Sequence, residues 1–134
     1  MTLDILLVED SPSDATLAAE ALIDTGIDHK ISLAEDGRKA IDYLEKAGCR
    51  DAHPVPDVIL LDLNMPRVDG HGVLEAIRSQ EKLNEVPVLV LTVSKADEDI
   101  FKALDLGMNF YLRKPVSPET LKAILEAIEK LWNQ

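Results

Sequence analysis

Aromatic side chains are scarce in this chain: one Trp, two Tyr and two Phe make up 4% of it. A ring-based core is excluded, and the buried volume must be filled by Leu, Ile, Val and Ala. Cysteine is rarer still. Cys49 stands alone, so no internal disulfide can form, which fits a reducing cytoplasm. Basic residues are in the minority, 14 against 25 acidic, and the formal charge of −11 argues against direct attraction to nucleic acid or to an anionic membrane. Cations and basic protein surfaces are the favoured partners. Long apolar runs are missing as well. No uninterrupted stretch approaches the 18 or so residues of a membrane span, and Met1-Thr2-Leu3-Asp4 puts an acid inside the first apolar stretch. The expectation is a soluble, cytoplasmic protein. With 134 residues, 46% of them hydrophobic, and no linker, repeat or low-complexity tract, one compact domain over 1–134 is expected, with no room for an output domain.

What the chain does have is a set of short aliphatic runs ending in polar groups. Val58–Leu61 is apolar at every position, as in a strand buried on both faces, and it delivers Asp62 to the strand end. Pro66 and Asp69-Gly70 then forbid regular structure directly afterwards. Ile5–Val8 ends in Glu9-Asp10, Val86–Leu91 in Thr92, and Asn109–Leu112 in Arg113-Lys114-Pro115. Lys30–Ala34 is more polar and suits a sheet edge.

Helical patterns lie between these runs. Ser11-Pro12-Ser13-Asp14 reads as a helix start, with Ala15, Ala18 and Leu22 on one face and a stop at Gly26. Ala40, Ile41 and Leu44 share a face on a second helix, and Val73, Leu74 and Ile77 on a third. Ser94 to Gly107 reads as a fourth, and Ser117-Pro118 opens a fifth with Leu121, Ile124, Leu125, Ile128 and Trp132 on one apolar face. Five strand–helix pairs in strict alternation predict an α/β fold, a parallel sheet covered on both faces. In such sheets ligands bind at the carboxyl ends of the strands.

An Asp at a strand end is ordinarily a solvated turn residue. Three carboxylates gathered on one rim are different, because each pair 4 Å apart repels by about 4 kcal/mol at an effective dielectric of 20. A divalent cation relieves that repulsion. Oxygen ligands without a Cys or His cluster favour Mg²⁺, which commonly keeps waters and a phosphate oxygen beside one or two carboxylates. His29, His53 and His71 have no ligand spacing and read as exposed loop or helix-start residues. A hydroxyl from Thr92 and an ammonium from Lys114 would complete a site for a dianionic phosphoryl group, with one carboxylate as its acceptor.

On these residues the chain resembles a response-regulator receiver domain, the phosphoacceptor module of two-component signalling. The resemblance covers essentially the whole chain. It implies the flavodoxin-like, doubly wound sheet order 2-1-3-4-5, with helices on both faces. It also implies Asp62 as phosphorylation site, Glu9 and Asp10 as the acidic metal pair, and Asn64 as donor of a backbone carbonyl to the Mg²⁺. Thr92 and Lys114 match the hydroxyl and lysine that contact the phosphoryl group, and Tyr111 matches the aromatic whose rotation reports phosphorylation. A sensor histidine kinase or phosphotransfer protein is the implied donor. VEDSPSD, PDVILLDLNMP, LTVSKADEDI and IEKLWNQ further resemble the small regulators that partner phytochrome-type histidine kinases.

The chain departs from the common pattern in two places. Val93 follows Thr92 where a very small residue is usual; either it narrows the approach of water and lengthens the phosphorylated state, or it only extends a hydrophobic strand. The acidic pair is Glu-Asp rather than Asp-Asp. A haloacid-dehalogenase-type phosphohydrolase is disfavoured because its second Asp is here Asn64, and a phosphorylation-independent pseudo-receiver because every expected site residue is present. Ala103, Ile100, Leu104, Met108, Phe101 and Leu106 cover more of the fourth helix and its end than one sheet face can bury. That surplus, with Tyr111, Leu131 and Trp132, predicts a contact surface over the fourth helix, fifth strand and fifth helix, for a homodimer or equally a partner protein, with Ile100, Leu104 and Tyr111 in the interface.

Overall fold

The structure, a computed structural model, describes residues 2–46, 55–63, 70–83, 85–92 and 108–132. The strands β1 (Leu3–Val8), β2 (His29–Ala34), β3 (Val58–Asp62), β4 (Val88–Thr92) and β5 (Phe110–Arg113) form one parallel sheet in the order β2-β1-β3-β4-β5. The expected α/β architecture and the strand order 2-1-3-4-5 are both present. β3 and β4 are buried at every residue because layers cover both their faces, and this is why their sequences are continuous rather than alternating aliphatic runs. β2 lies at the edge, where Lys30 is exposed.

Successive strand residues point to opposite faces, so each strand feeds two cores. Leu6, Val8, Ile59, Leu61, Val88 and Val90 meet Ala40 and Leu44 of α2 (Gly37–Lys46) and Val73, Leu74 and Ile77 of α3 (Gly70–Arg78). Ile5, Leu7, Val58, Leu60, Leu89 and Leu91 meet Ala15, Ala18, Ala21 and Leu22 of α1 (Pro12–Asp24) and Leu121, Leu125 and Ile128 of the C-terminal helix (Pro118–Trp132). The start of α1 is built as its sequence predicts. Ser11 is extended at φ −88°, ψ 117° and its side chain accepts from the Asp14 N–H, with Pro12 in the first turn. Past the other end, Gly26 takes φ +73°, a left-handed conformation that a side chain would disfavour.

Three details differ from the sequence expectations. Trp132 does not join the buried face of the C-terminal helix; it lies past Ile128 near the helix end, 39% exposed, and its indole N–H donates to the Asp57 carbonyl at 3.1 Å. His29 is not a loop residue but opens β2, half-buried, with Nδ1 2.7 Å from the Ile27 carbonyl oxygen. Val86 and Pro87 precede β4 rather than belong to it, since Pro87 has no N–H to give the ladder. Cys49, His53, Asn64, Val93, Ile100, Phe101, Ala103, Leu104 and Leu106, and the side chain of His71, lie outside the described residues.

Candidate functional site

A parallel sheet brings the carboxyl ends of all its strands to one edge, and the alternation along each strand decides which side of that edge a residue takes. Leu7, Leu60 and Leu112 face the core under α1 and the C-terminal helix. Glu9, Asp62 and Lys114 stand two positions further along the same strands, so they fall on the α1 side of the rim. Val90 faces the opposite core, and Thr92, two further on, falls on that side. The ladder continues past the strand ends and fixes these positions. The Glu9 N–H donates to the Ala34 carbonyl at 3.0 Å, the Leu63 N–H to Leu91 at 3.2 Å, and the Lys114 N–H to Thr92 at 3.0 Å. The peptide bond after Lys114 is cis, to Pro115.

Glu9, Asp10 and Asp62 each bring a carboxylate oxygen to within 4.8 Å of the other two. Glu9 and Asp62 are only 2% and 3% exposed, and Thr92 is fully buried. Two buried carboxylates require a counter-charge. Lys114 supplies it, with Nζ 2.7 Å from Glu9 Oε2, 2.9 Å from Asp14 Oδ2 and 3.6 Å from Asp62 Oδ2. Among the described residues one ammonium is thus shared by three carboxylates within 3.6 Å, with the Asp10 carboxylate beside two of them. Burial is the main reason that the Glu9 pKa is pushed up to about 7; the Lys114 hydrogen bond opposes this, and the negative Asp62 adds to it. Burial also disfavours the charge on Lys114, but its bonds to Glu9 and Asp14 and the fields of Asp62 and Glu9 outweigh that, and its pKa is raised.

The structure therefore brings Glu9, Asp10, Asp62, Thr92 and Lys114 to one edge as the sequence predicts. Tyr111 pairs with Val90 across the β4–β5 ladder and packs half-buried against the α2–α3 core, on the face of Thr92 rather than that of Lys114. Asn64, Ile100 and Leu104 lie outside the described residues. Sequence reasoning missed Asp14. It was legible only as an acid in the first turn of a helix, which helix electrostatics already explains. Its tertiary contact to Lys114 spans 100 positions of sequence. Asp14, Leu17, Ala18, Leu91, Lys114, Pro115 and Val116 also line, with Glu9, a cavity of about 240 Å³ beside the carboxylates.

Residues 5–126 match the response regulator receiver domain family. The chain belongs to that family. A receiver domain is not an enzyme acting on a separate substrate, and the phosphohydrolase alternative falls away. Among curated proteins the chain is similar to response regulator Rcp1 of Synechocystis, 39% identical over 96% of this chain and 87% of that protein. It is similar also to the probable methanogenesis regulatory protein FilR2 of Methanothrix harundinacea, 42% identical over 96% of this chain and 82% of that protein. Among solved structures it resembles the phosphorylated cyanobacterial phytochrome response regulator RcpA, with a TM-score of 0.80, 38% identity, and coverage of 100% of this chain and 96% of that one. The receiver domain of the sensor histidine kinase PA1611 of Pseudomonas aeruginosa, with magnesium coordinated in its active-site cleft, aligns with a TM-score of 0.79 and 33% identity over 95% of this chain and 97% of that one.

The residues of this receiver domain suit such an ion. All three candidate ligands are hard carboxylate oxygens. Two ligands on one Mg²⁺ at about 2.1 Å lie no more than about 4.2 Å apart, so oxygens within 4.8 Å need only a small adjustment. Among the described residues, the negative charge that Lys114 leaves over supplies the electrostatic motive.

Proposed function

We propose that this receiver domain is a cytoplasmic response regulator whose Asp62 accepts a phosphoryl group from a histidine kinase or phosphotransfer protein. A carboxylate oxygen of Asp62 attacks phosphorus, the bond from phosphorus to the donor imidazole nitrogen breaks, and the phosphoryl group remains on Asp62 as a mixed anhydride. The observation that carries this reading is the placement of Asp62. It stands at the strand end with Glu9 and Asp10 oxygens within 4.8 Å and the Lys114 ammonium at 3.6 Å. Glu9, Asp10 and Asp62, joined by the backbone carbonyl of Asn64, would hold Mg²⁺, which when bound neutralises charge on the transferring group. Lys114 pairs with the phosphoryl oxygens, and the Thr92 hydroxyl donates to one of them from the opposite side.

The output follows from Thr92 and Tyr111 sharing a face of the sheet. A Thr92 hydroxyl drawn toward the phosphoryl group leaves room for Tyr111 to turn inward, shifting an existing equilibrium in the surface around β5. That surface, with Ile100 and Leu104, would carry a homodimer or a partner protein. The similarity to Rcp1 and RcpA favours a phytochrome-type kinase as donor. Transfer of labelled phosphate from a panel of purified histidine kinases tests both levels of the proposal. Transfer from some kinase to wild type but not to Asp62→Asn is expected, fastest from a phytochrome-type member. Rapid transfer only from kinases of another type would reassign the partner, and transfer that survives Asp62→Asn would remove the phosphoacceptor. Sedimentation in both phosphorylation states tests the dimer, and a monomer throughout would refute it.

A further inference from the structure

Lys114 is held by two carboxylates, and only one of them belongs to the group that could hold a metal. Asp14 stands outside the Glu9, Asp10, Asp62 cluster, yet its Oδ2 accepts from Lys114 Nζ at 2.9 Å, closer than Asp62 at 3.6 Å. It is not occupied with capping α1. In a capping box the acid in the first turn reaches back to the N–H of the cap residue. Here the Ser11 N–H donates instead to Glu9 Oε1 at 3.2 Å, and the Asp14 N–H donates to Ser11 Oγ at 3.4 Å. The Asp14 carboxylate is thereby left to contact Lys114 directly, at the wall of the cavity that both residues line.

The two contacts differ in how readily they can be given up. The Glu9 side chain is 1% exposed, so removing its cation strands a buried charge; that of Asp14 is 38% exposed, and water can replace the lysine there. We propose that Asp14 is a positioning residue, a competing anion that keeps the Lys114 ammonium on the α1 side while Asp62 is unmodified and releases it to the phosphoryl group. Phosphorylation then exchanges the Lys114–Asp14 pair for a Lys114–phosphoryl pair, and Asp14 sets how favourable the exchange is. This rests on the reading of Asp62 as phosphoacceptor.

The test is a titration with beryllofluoride, which binds a carboxylate as a non-covalent mimic of the phosphoryl group, at saturating Mg²⁺. Asp14→Asn keeps the shape and removes the competing charge, and should bind the mimic about fivefold more tightly, the scale of one half-exposed ion pair. The gain should vanish in a Lys114→Ala background, or in Lys114→Gln if the alanine variant does not fold. A purely structural role for Asp14 would lower the melting temperature without producing this dependence on Lys114. Equal or weaker binding by Asp14→Asn, or the same gain with and without Lys114, overturns the proposal and leaves the phosphoacceptor reading intact. If wild type binds no beryllofluoride, both fall together.

Discussion

Lys114→Met keeps most of the side chain's bulk and removes the only cation that contacts Glu9, Asp14 and Asp62 among the described residues. Removing one partner of a buried ion pair costs about 3–5 kcal/mol when the other stays charged. Glu9 has an escape, because it can take up a proton. Its folded pKa of about 7 lies above the ordinary 4.5, so its own contribution to stability is fully present below about pH 4.5 and is lost as the pH rises through 7. At pH 5 the folded protein already carries Glu9 neutral, and the substitution loses the half-exposed pair with Asp14, about 1 kcal/mol, together with the longer contact to the buried Asp62, which it loses at pH 8.5 as well. At pH 8.5 it must either leave Glu9 ionised without its cation or protonate it far above ambient pH, and the full cost of several kcal/mol returns. At roughly 3 °C per kcal/mol for a domain of this size, the melting temperature should fall by several degrees more at pH 8.5 than at pH 5. The assay is thermal denaturation by circular dichroism in a chelator. An equal loss at both pH values would refute the assignment of Lys114 as the counter-charge of Glu9.

Asp57 tests burial with no cation beside it among the described residues. Its pKa is raised mainly by burial, against the hydrogen bond its Oδ2 accepts from the Asp4 N–H at 2.8 Å, so its contribution is lost as the pH rises above the ordinary carboxylate range. Asp57→Asn should therefore gain stability relative to wild type from pH 4 to pH 7 in urea titrations, and a constant difference would contradict this. Arg78 ties the end of α3 to the start of β4 and β5, donating to the Leu83 and Val86 carbonyls at 3.3 and 3.1 Å and to Asn109 Oδ1 at 2.8 Å. Arg78→Met should cost about 2 kcal/mol by urea denaturation with Asp62 phosphorylation retained, and a change within 0.5 kcal/mol would dismiss the strut. Val93→Ala should speed loss of the phosphoryl group; an unchanged or slower rate leaves Val93 only a packing role.

The fold and most of the candidate site are legible in the sequence because they rest on the same property. Alternating strands and helices imply parallel strands, and parallel strands put Glu9, Asp62, Thr92 and Lys114 at one edge whatever the details of packing. Continuous aliphatic runs marked β3 and β4 as central for the same reason. The side of the edge was harder to read. That Thr92 shares a face with Tyr111 while Lys114 faces α1 depends on register and on which core each strand residue feeds. Asp14 was hidden by a sufficient local explanation, and the Arg78–Asn109 bond by the lack of any short-range pattern linking residues 31 apart. Trp132 continues the apolar face of the last helix yet stays partly exposed, because helical periodicity places a residue on a face without saying where the neighbouring layer ends.

The central claim is that Asp62 carries the phosphoryl group. Intact-mass and peptide mass spectrometry after incubation with a small phosphodonor tests it most directly, in wild type and Asp62→Asn, with Mg²⁺ and with a chelator. The account predicts one phosphoryl group on wild type, located on Asp62, lost on mild alkaline treatment, and absent both from Asp62→Asn and from the chelated sample. A label of equal extent in Asp62→Asn, or one that maps to a Ser or Thr and survives acid, would contradict it.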